Sequence, residues 1–336
     1  MKLYLLENNS YFVFIKIIIK YIIFFLFVLI FNDNIFKFNN YCIKTRFIEN
    51  KKIIDISYST DNKYIYPTIV SMISLILNAD KNTLYNIYIL HSNDFNENSK
   101  RFLIRFQNKF DSGCRIILIN MGDSYKNLKH KKRLSIAAYY RLSLPSAFPN
   151  INKIIYLDCD TLVLGDLKEL IDFDMKDNVI MGFIDYPETI KSLGLIKSTV
   201  ICSGVLLFNL ELLRKYNYSK KIDDFIAKYK SRLILDDQTI LNIVMQDKLG
   251  TLPPKYGIFA FRNEEHFKNY FNKTRKLGKK YNKKDLLYAI EHPVIIHFAG
   301  IKPFGSTKND KRFSKVWWKF ARVSGVYNKL DKFNKG

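Results

Sequence analysis

Two aspartates interrupt an otherwise apolar stretch in the middle of this chain of 336 residues. Residues 153–164 read KIIYLDCDTLVL, so Asp158 and Asp160 follow one strand-like run and precede another. Burying carboxylates without a compensating charge is costly, and a divalent cation is the simplest compensation. Oxygen ligands suit Mg²⁺ or Mn²⁺, which commonly bridge carboxylates to substrate phosphates. We therefore expect a metal site here, because this setting is far more specific than a bare Asp-x-Asp.

A histidine near the carboxyl end of the chain is a candidate third ligand. Residues 293–304 read PVIIHFAGIKPF, in which His297 ends an apolar run. Imidazole is an acceptable ligand for Mn²⁺, although a single histidine at the end of a strand is more often structural. Gly300 and Lys302 follow within five residues and suit a loop that binds phosphate.

Acidic residues lie at the ends of other apolar patterns, and a glycine interrupts one of them. Asp61 follows the first strand-like run, where an open α/β sheet binds its ligands, although taken alone it fits a helix cap better. Two aspartates, the second of them Asp237, open the helical pattern LDDQTILN and could also be helix caps. Gly204 interrupts the run VICSGVLLFNL, and a glycine in mid-strand often marks the close approach of a ligand.

The elements that must position these residues alternate between strands and helices. Strand patterns occur at 53–59, 86–92 and 115–120, with helix patterns between them at 64–78 and 96–110. Strands that alternate with helices of about 10–15 residues indicate βαβ units and a largely parallel sheet. We therefore predict an α/β fold with a Rossmann-like, mainly parallel sheet that is flanked by helices.

The N-terminal segment differs in character from the rest. Residues 11–31 read YFVFIKIIIKYIIFFLFVLIF, and about 20 apolar residues can span a bilayer as a helix. We predict that residues 1–52 form a hydrophobic anchor and linker, the alternative being a helix packed on the rest of the chain. The Lys and Arg residues after the anchor favour a cytoplasmic location for the rest of the chain over one in a secretory lumen. The four cysteines agree, because their spacing fits neither a zinc site nor a disulfide framework.

The chain is strongly basic, with 54 Lys and Arg against 31 Asp and Glu and a formal net charge of +23. This balance favours anionic partners such as nucleic acid, an acidic membrane or a phosphorylated substrate. Residues 305–336 form a basic aromatic tail, whose Trp317 and Trp318 we expect at the headgroup level of an anionic membrane. The alternatives are a solvated segment and a helix packed on the core.

Together these motifs resemble glycosyltransferase family 8, which includes glycogenin and bacterial lipooligosaccharide galactosyltransferases. The similar segments, in the family's order, are STDN, YYRLSLP, IIYLDCDTLVLGDL, CSGVLLFNLE, DDQTILN and HFAGIKPF. The resemblance implies a GT-A catalytic domain over residues 53–304 and a UDP-sugar donor carrying glucose or galactose. It also implies Mn²⁺, with Mg²⁺ as the alternative, and retention of the anomeric configuration. The implied acceptor is a saccharide, a lipid-linked saccharide or a protein, which would include lipopolysaccharide biosynthesis.

The resemblance also implies roles for individual residues. The metal ligands that it implies are Asp158, Asp160 and His297. Among the donor-binding residues, Asp61 resembles the residue that contacts uracil, and Arg141 resembles the basic residue beside the diphosphate. Gly300 and Lys302 resemble the loop that closes on the diphosphate. Asp158 and Gly204 complete the implied donor-binding set. The catalytic candidates are Asp237, which resembles the carboxylate that grips the donor-sugar hydroxyls, and Gln238, which resembles the amide near the anomeric carbon.

The chain departs from the family's pattern at three places. Cys159 occupies the middle of the aspartate motif. Cys202 stands where many members have asparagine, so one sugar contact is altered. Phe304 replaces tryptophan in a final loop that is one residue shorter than usual. These departures affect the identity of the donor sugar more than the class of reaction.

Two other functions are alternatives to a Mn²⁺-dependent, retaining hexosyltransferase. A basic protein that binds nucleic acid or membrane fits the charge, but the sequence contains no RNA- or DNA-binding motif, so no nucleic-acid partner is expected. A non-catalytic protein that binds sugar nucleotides would not need the complete set of Asp158, Asp160, His297 and Lys302. We therefore predict an enzyme that is associated with a membrane through its N-terminal anchor.

Overall fold

The structure is a computed structural model that describes residues 51–110, 113–128, 135–185, 200–230, 236–261, 264–275, 281–300, 302–304 and 311–333. The predicted anchor at 11–31 lies outside these ranges. Within them, no helix combines the length and the apolar character that crossing a membrane requires. The anchor therefore stays a prediction.

Strands and helices alternate along the described chain. The strands are β1 (Lys52–Ser59), β2 (Thr83–His91), β3 (Cys114–Asn120), β4 (Lys153–Leu157), β5 (Thr161–Val163), β6 (Ile180–Ile184), β7 (Ile201–Asn209), β8 (Leu249–Thr251), β9 (Tyr256–Phe259) and β10 (Ile295–His297). The helices are α1 (Ile65–Leu77), α2 (Glu97–Lys109), α3 (Leu144–Ala147), α4 (Lys168–Ile171), α5 (Leu210–Lys215), α6 (Tyr218–Tyr229), α7 (Asp237–Val244), α8 (Glu264–Arg275), α9 (Lys283–Glu291), α10 (Lys311–Ser324) and α11 (Tyr327–Phe333). Short 3-10 turns lie at Ile136–Ser143 and Gln246–Lys248.

Seven of the described strands form one sheet in the spatial order β3-β2-β1-β4-β7-β6-β8. Neighbouring strands are parallel, except that β7 runs antiparallel to both β4 and β6. The sheet is thus mixed but mainly parallel, which confirms the predicted α/β architecture. The first strands and helices also match their predicted positions, although β2 begins at Thr83 rather than at residue 86.

The central strand β4 is buried on both faces. Ile155 and Leu157 belong to the apolar cluster on one face of the sheet, and Ile154 and Tyr156 belong to the cluster on the other face. A strand buried in this way reads as a continuous apolar run rather than as an alternating pattern. This burial explains why the strand is evident in the sequence and why the carboxylates begin where it ends.

A smaller sheet has the order β5-β10-β9, with β10 antiparallel to β5 and parallel to β9. The apolar stretch at 153–164 is therefore two strands in two different sheets. The turn at 158–160 carries the chain from β4 in the large sheet to β5 in the small one.

Helix α10, near the C-terminus, packs on α1 within the same compact unit, Glu49–Gly336. Trp317 is fully buried, with its ring 5.3 Å from that of Phe304. Trp318 donates from Nε1 to the Pro303 carbonyl at 3.1 Å. The expectation that Trp317 lies at the headgroup level of a membrane was wrong, because this side chain covers an apolar face of the catalytic core. The alternative of a tail helix packed on the core is the one observed.

Candidate active site

The turn at 158–160 brings candidate ligands together because it is paired on both sides. The Asp158 N–H donates to the Gly204 carbonyl at 2.8 Å, which extends the pairing of β4 with β7. After the turn, Thr161 lies opposite His297 in the antiparallel pairing of β5 with β10. Two strand pairings therefore fix the imidazole beside the carboxylates.

The side chains of Asp158, Asp160 and His297 converge on one point. His297 Nε2 lies 3.4 Å from Asp160 Oδ1 and 3.7 Å from Asp158 Oδ2. One ligand atom from each of the three residues lies within 4.8 Å of the others. Asp160 and His297 are buried, whereas 24% of the Asp158 side chain is exposed. Two carboxylates and an imidazole fit Mn²⁺ or Mg²⁺, so the donor set suits the predicted metal.

Asp160 is held as a carboxylate although it is buried. Burial disfavours its charge, but Lys302 and His297 outweigh this effect and hold the pKa of Asp160 well below its usual range. Lys302 Nζ forms an ion pair with Asp160 Oδ2, while 32% of the Lys302 side chain stays exposed. Lys302, which was predicted to contact the diphosphate, therefore lies directly beside the candidate metal ligands.

The neighbours of the buried His297 ring favour its protonated form. Burial disfavours the imidazolium, but Cys202 and Asp160 raise the pKa of His297 well above its usual value. Burial also raises the pKa of the Cys202 thiol, against the opposing effect of His297.

The His297 ring occupies the space that a side chain would fill at position 204, where the residue is glycine. A Cβ at this position would lie 2.7 Å from His297 Nδ1 and still closer to Cε1 and Nε2. The glycine was predicted to mark the close approach of a ligand, and the group that approaches it is this imidazole. A direct contact between Gly204 and the donor stays a prediction.

Arg141 connects a metal-site aspartate with a candidate sugar-binding aspartate. Its buried guanidinium donates from Nη2 to Asp158 Oδ1 at 2.7 Å and from Nη1 to the Ser203 carbonyl. Its Nε lies 3.1 Å from Asp237 Oδ2 but donates its proton to the Ala138 carbonyl at 2.8 Å. Burial opposes the charge, yet Asp158 and Asp237 raise the pKa of Arg141. Arg141 was predicted beside the diphosphate, and its observed partners are these aspartates.

Asp237 is a buried carboxylate with one unsatisfied oxygen. Among the described residues, no group donates a hydrogen bond to its Oδ2, although Arg141 is adjacent. Burial raises the pKa of Asp237 against the opposing effect of Arg141. The alternative role of helix cap belongs to Asp236, whose carboxylate accepts the Thr239 N–H at 2.8 Å. A buried acceptor without a donor is costly, and a sugar hydroxyl would satisfy it.

Gln238 is held at both ends of its amide. Its Oε1 accepts the Ser203 N–H at 3.1 Å, and its Nε2 donates to Asp185 Oδ2 at 2.9 Å. Asp185 was not among the predicted residues. It directly follows β6, so the apolar run IMGFI is followed by an aspartate just as the run KIIYL is followed by Asp158. That repeated pattern is the signal in the sequence that could have identified it.

Asp61 and Gly300 support the backbone conformation of their own loops. Asp61 Oδ1 accepts hydrogen bonds from the N–H groups of Lys63 and Tyr64 at 2.9 and 2.7 Å, in the turn that leads into α1. In the part of the chain that the structure describes, Asp61 forms no hydrogen bond or ion pair with Asp158, Asp160 or His297, and its contact with uracil stays a prediction. Gly300 has a φ of +84° and open space around its Cβ position. Its backbone conformation therefore requires glycine in the loop before Lys302.

The family model for glycosyl transferase family 8 matches residues 55–308. General stress protein A of Bacillus subtilis is 28% identical over 273 residues, which cover 78% of this chain and 91% of that protein. The lipopolysaccharide glucosyltransferase WaaO of Escherichia coli is 25% identical over 231 residues, covering 65% of this chain and 67% of that protein.

The fold is also that of a solved glycosyltransferase. The galactosyltransferase LgtC, in a crystal structure with donor and acceptor sugar analogs, superposes with a TM-score of 0.62 at 20% identity. The superposition covers 80% of this chain and 96% of that one, which supports a GT-A-like fold. The family model begins within β1 and extends past Asp158, Asp160, His297 and Lys302, which is well over half of the chain. The chain therefore belongs to glycosyltransferase family 8 and is a glycosyltransferase.

Proposed function

We propose that this enzyme transfers glucose or galactose from a UDP-sugar to a saccharide, lipid-linked or protein acceptor and requires Mn²⁺ or Mg²⁺. The observation that carries the proposal is the convergence of Asp158, Asp160 and His297 beside Lys302. A carboxylate and imidazole site next to an ammonium group is suited to a divalent cation together with a diphosphate. A UDP-sugar brings the diphosphate to such a site.

In this proposal the charged residues act on the leaving group. A cation held by Asp158, Asp160 and His297 would neutralise negative charge on the departing diphosphate. Lys302 supplies a second positive charge at the same place, and 32% of its side chain is exposed. The Lys302 ammonium group accelerates the reaction most if it stabilises charge that develops in the transition state rather than charge already present in the ground state.

The sugar is positioned by the residues on the far side of Arg141. Asp237 Oδ2, which lacks a hydrogen-bond donor among the described residues, accepts a hydrogen bond from a hydroxyl of the donor sugar. Arg141 holds Asp237 and Asp158 in one cluster, so the sugar and the diphosphate are oriented relative to one another. Asp185 and Ser203 fix the direction of the Gln238 amide beside them.

We also propose that the configuration at the anomeric carbon is retained through front-face attack. Gln238 is a poor nucleophile because it is an amide, so a covalent intermediate on it is disfavoured. The acceptor hydroxyl would bond to the anomeric carbon on the face where the bond to the phosphate oxygen breaks. That oxygen then takes the hydroxyl proton. NMR of the product tests this proposal: an α linkage from an α-linked donor is expected, and a β linkage would exclude it.

Residues 11–31 are proposed to anchor the enzyme, with the catalytic domain on the cytoplasmic side and a lipid-linked saccharide as acceptor. The length of the apolar segment supports the anchor, and the similarity to a lipopolysaccharide glucosyltransferase supports the acceptor class. Protease treatment of the full chain in sealed vesicles tests the topology. Complete digestion of the catalytic domain from the cytoplasmic face is expected, and its protection there would contradict the assignment.

A donor panel tests the proposed reaction itself. The full chain is incubated with UDP-glucose, UDP-galactose, UDP-N-acetylglucosamine and GDP-mannose, each with Mn²⁺, with Mg²⁺ or with EDTA. Release of the free nucleotide is measured. We expect one UDP-hexose to be consumed fastest, and EDTA to abolish its consumption. Preference for GDP-mannose, or full activity in EDTA, would contradict the proposal.

A further inference from the structure

The His297 imidazole has a hydrogen-bonding neighbour on the side away from the carboxylates. Cys202 Sγ lies 3.4 Å from His297 Nδ1, whereas Nε2 faces Asp160. Cys202 and His297 are both buried, with 4% and 5% exposed. Side chains two residues apart on a strand share a face, so Cys202 stands on the face of β7 where Gly204 leaves room for the ring.

The two β7 residues constrain the ring in different ways. Gly204 determines where the His297 ring lies, but a van der Waals contact does not determine which ring nitrogen carries the proton. A sulfur atom beside Nδ1 can do so, because a ring N–H donates to it while the other nitrogen is left for a metal. A proton on Nδ1 gives Nε2 a lone pair that points toward Asp160 and Asp158.

We propose that Cys202 is a positioning residue of this active site, whose sulfur accepts the Nδ1 proton of His297 and thereby presents Nε2 to the metal. The inference rests on the proposed function, because it assumes the metal site. Histidines that ligate metals generally donate their other ring N–H to a neighbouring acceptor. Losing that acceptor typically weakens metal affinity by about 10–100-fold. Here the acceptor is a thiol contributed by β7 of the large sheet.

The test compares Cys202→Val and Cys202→Ser with the parent enzyme. Valine removes the acceptor at similar volume, whereas serine keeps an acceptor. Calorimetric titration of Mn²⁺ in the presence of UDP measures affinity, and ¹⁵N NMR of the Mg²⁺-loaded protein reports which nitrogen of His297 is protonated. We expect Cys202→Val to bind Mn²⁺ about 10–100-fold more weakly. Cys202→Ser should recover most of the affinity, and the parent and the serine variant should both be protonated at Nδ1.

Cys114→Val is the matched control, because Cys114 is also a buried thiol but lies on the edge strand β3. It should bind Mn²⁺ as the parent does. Parental affinity in Cys202→Val combined with weak binding in His297→Ala would overturn the inference and leave the metal site standing. Parental affinity in His297→Ala as well would overturn both.

The NMR measurement does not depend on whether the valine variant folds. Protonation of His297 at Nε2 in the Mg²⁺-loaded parent would overturn the inference without any substitution. Protonation at Nδ1 in the parent, kept in Cys202→Ser, supports it.

Discussion

His297 on β10 lies opposite Thr161 on β5 in an antiparallel pair. Because Thr161 directly follows Asp160, this pairing delivers an imidazole to the carboxylates of the turn at 158–160. The candidate metal site is therefore a product of the small sheet as much as of the aspartate motif. Its predicted behaviour can be tested residue by residue.

Gly204→Ala is expected to weaken metal binding while leaving the protein folded. The new Cβ would lie 2.7 Å from His297 Nδ1 and closer to two other ring atoms, so the ring must move. Overpacking of this kind costs about 1–3 kcal/mol of stability. Gly165→Ala is the control, since its Cβ would meet Val294 at 3.4 Å. Mn²⁺ titration should show a loss of at least about tenfold for Gly204→Ala. Equal affinities for both variants would mean that the position of His297 is immaterial.

Asp237→Asn should impair sugar transfer and leave UDP binding unchanged, because Asp237 is assigned to the sugar and not to the nucleotide. A hydrogen bond to a charged group contributes about 1.5–3 kcal/mol, which corresponds to a fall in kcat/KM of about 10–100-fold. Asp236→Asn is the neighbouring control, since asparagine is an equally good helix cap. Steady-state kinetics with the UDP-hexose and calorimetry with UDP measure the two effects. Parental kinetics in Asp237→Asn would remove it from the sugar site.

Lys302→Ala should lower kcat by about 10²–10³-fold, the usual cost of losing one group that stabilises developing charge. Its Mn²⁺ affinity should stay the same or increase, because Lys302 no longer competes for Asp160. Lys255→Ala removes the same charge from a surface pair with Glu169 and should have parental kinetics. A Lys302→Ala enzyme with the parental kcat would show that this lysine only balances Asp160.

Metal binding should displace a proton from His297. Burial opposes its charge, but Cys202 and Asp160 raise its pKa well above the usual value, and a cation binds only the neutral imidazole. Mn²⁺ affinity should therefore increase about tenfold per pH unit below that pKa. Calorimetry in two buffers of different ionisation enthalpy should detect the released proton, and His297→Ala should abolish the release. Affinity that is constant between about pH 6 and pH 8 would contradict this assignment.

The parts of the fold that the sequence predicts well are encoded locally. The strand KIIYL is buried on both faces, so it is apolar throughout, and Asp158 marks its end. The helix α7 begins with a capping aspartate followed by an apolar pattern. Motif order then identifies the family because several such local signals occur together.

What the sequence could not predict depends on which segments meet in space. The contact of Gln238 with Asp185 and the fit of His297 over Gly204 both follow from strand order, which no local pattern specifies. An aromatic helix such as α10 suits a membrane surface and a protein core equally well. Only its packing on α1 shows that Trp317 belongs to the core.

The most direct test of the account is calorimetric titration of Mn²⁺ with UDP into the parent, Asp158→Asn and Asp160→Asn. Thermal unfolding should first establish that both variants are folded. Asp55→Asn is the control, because this β1 carboxylate accepts hydrogen bonds from Asn86 and Tyr88 away from the site. Both active-site variants should lose at least about 100-fold in Mn²⁺ affinity, while the control should bind as the parent does. Undiminished binding in Asp158→Asn and Asp160→Asn would contradict the metal site on which the proposed transfer reaction depends.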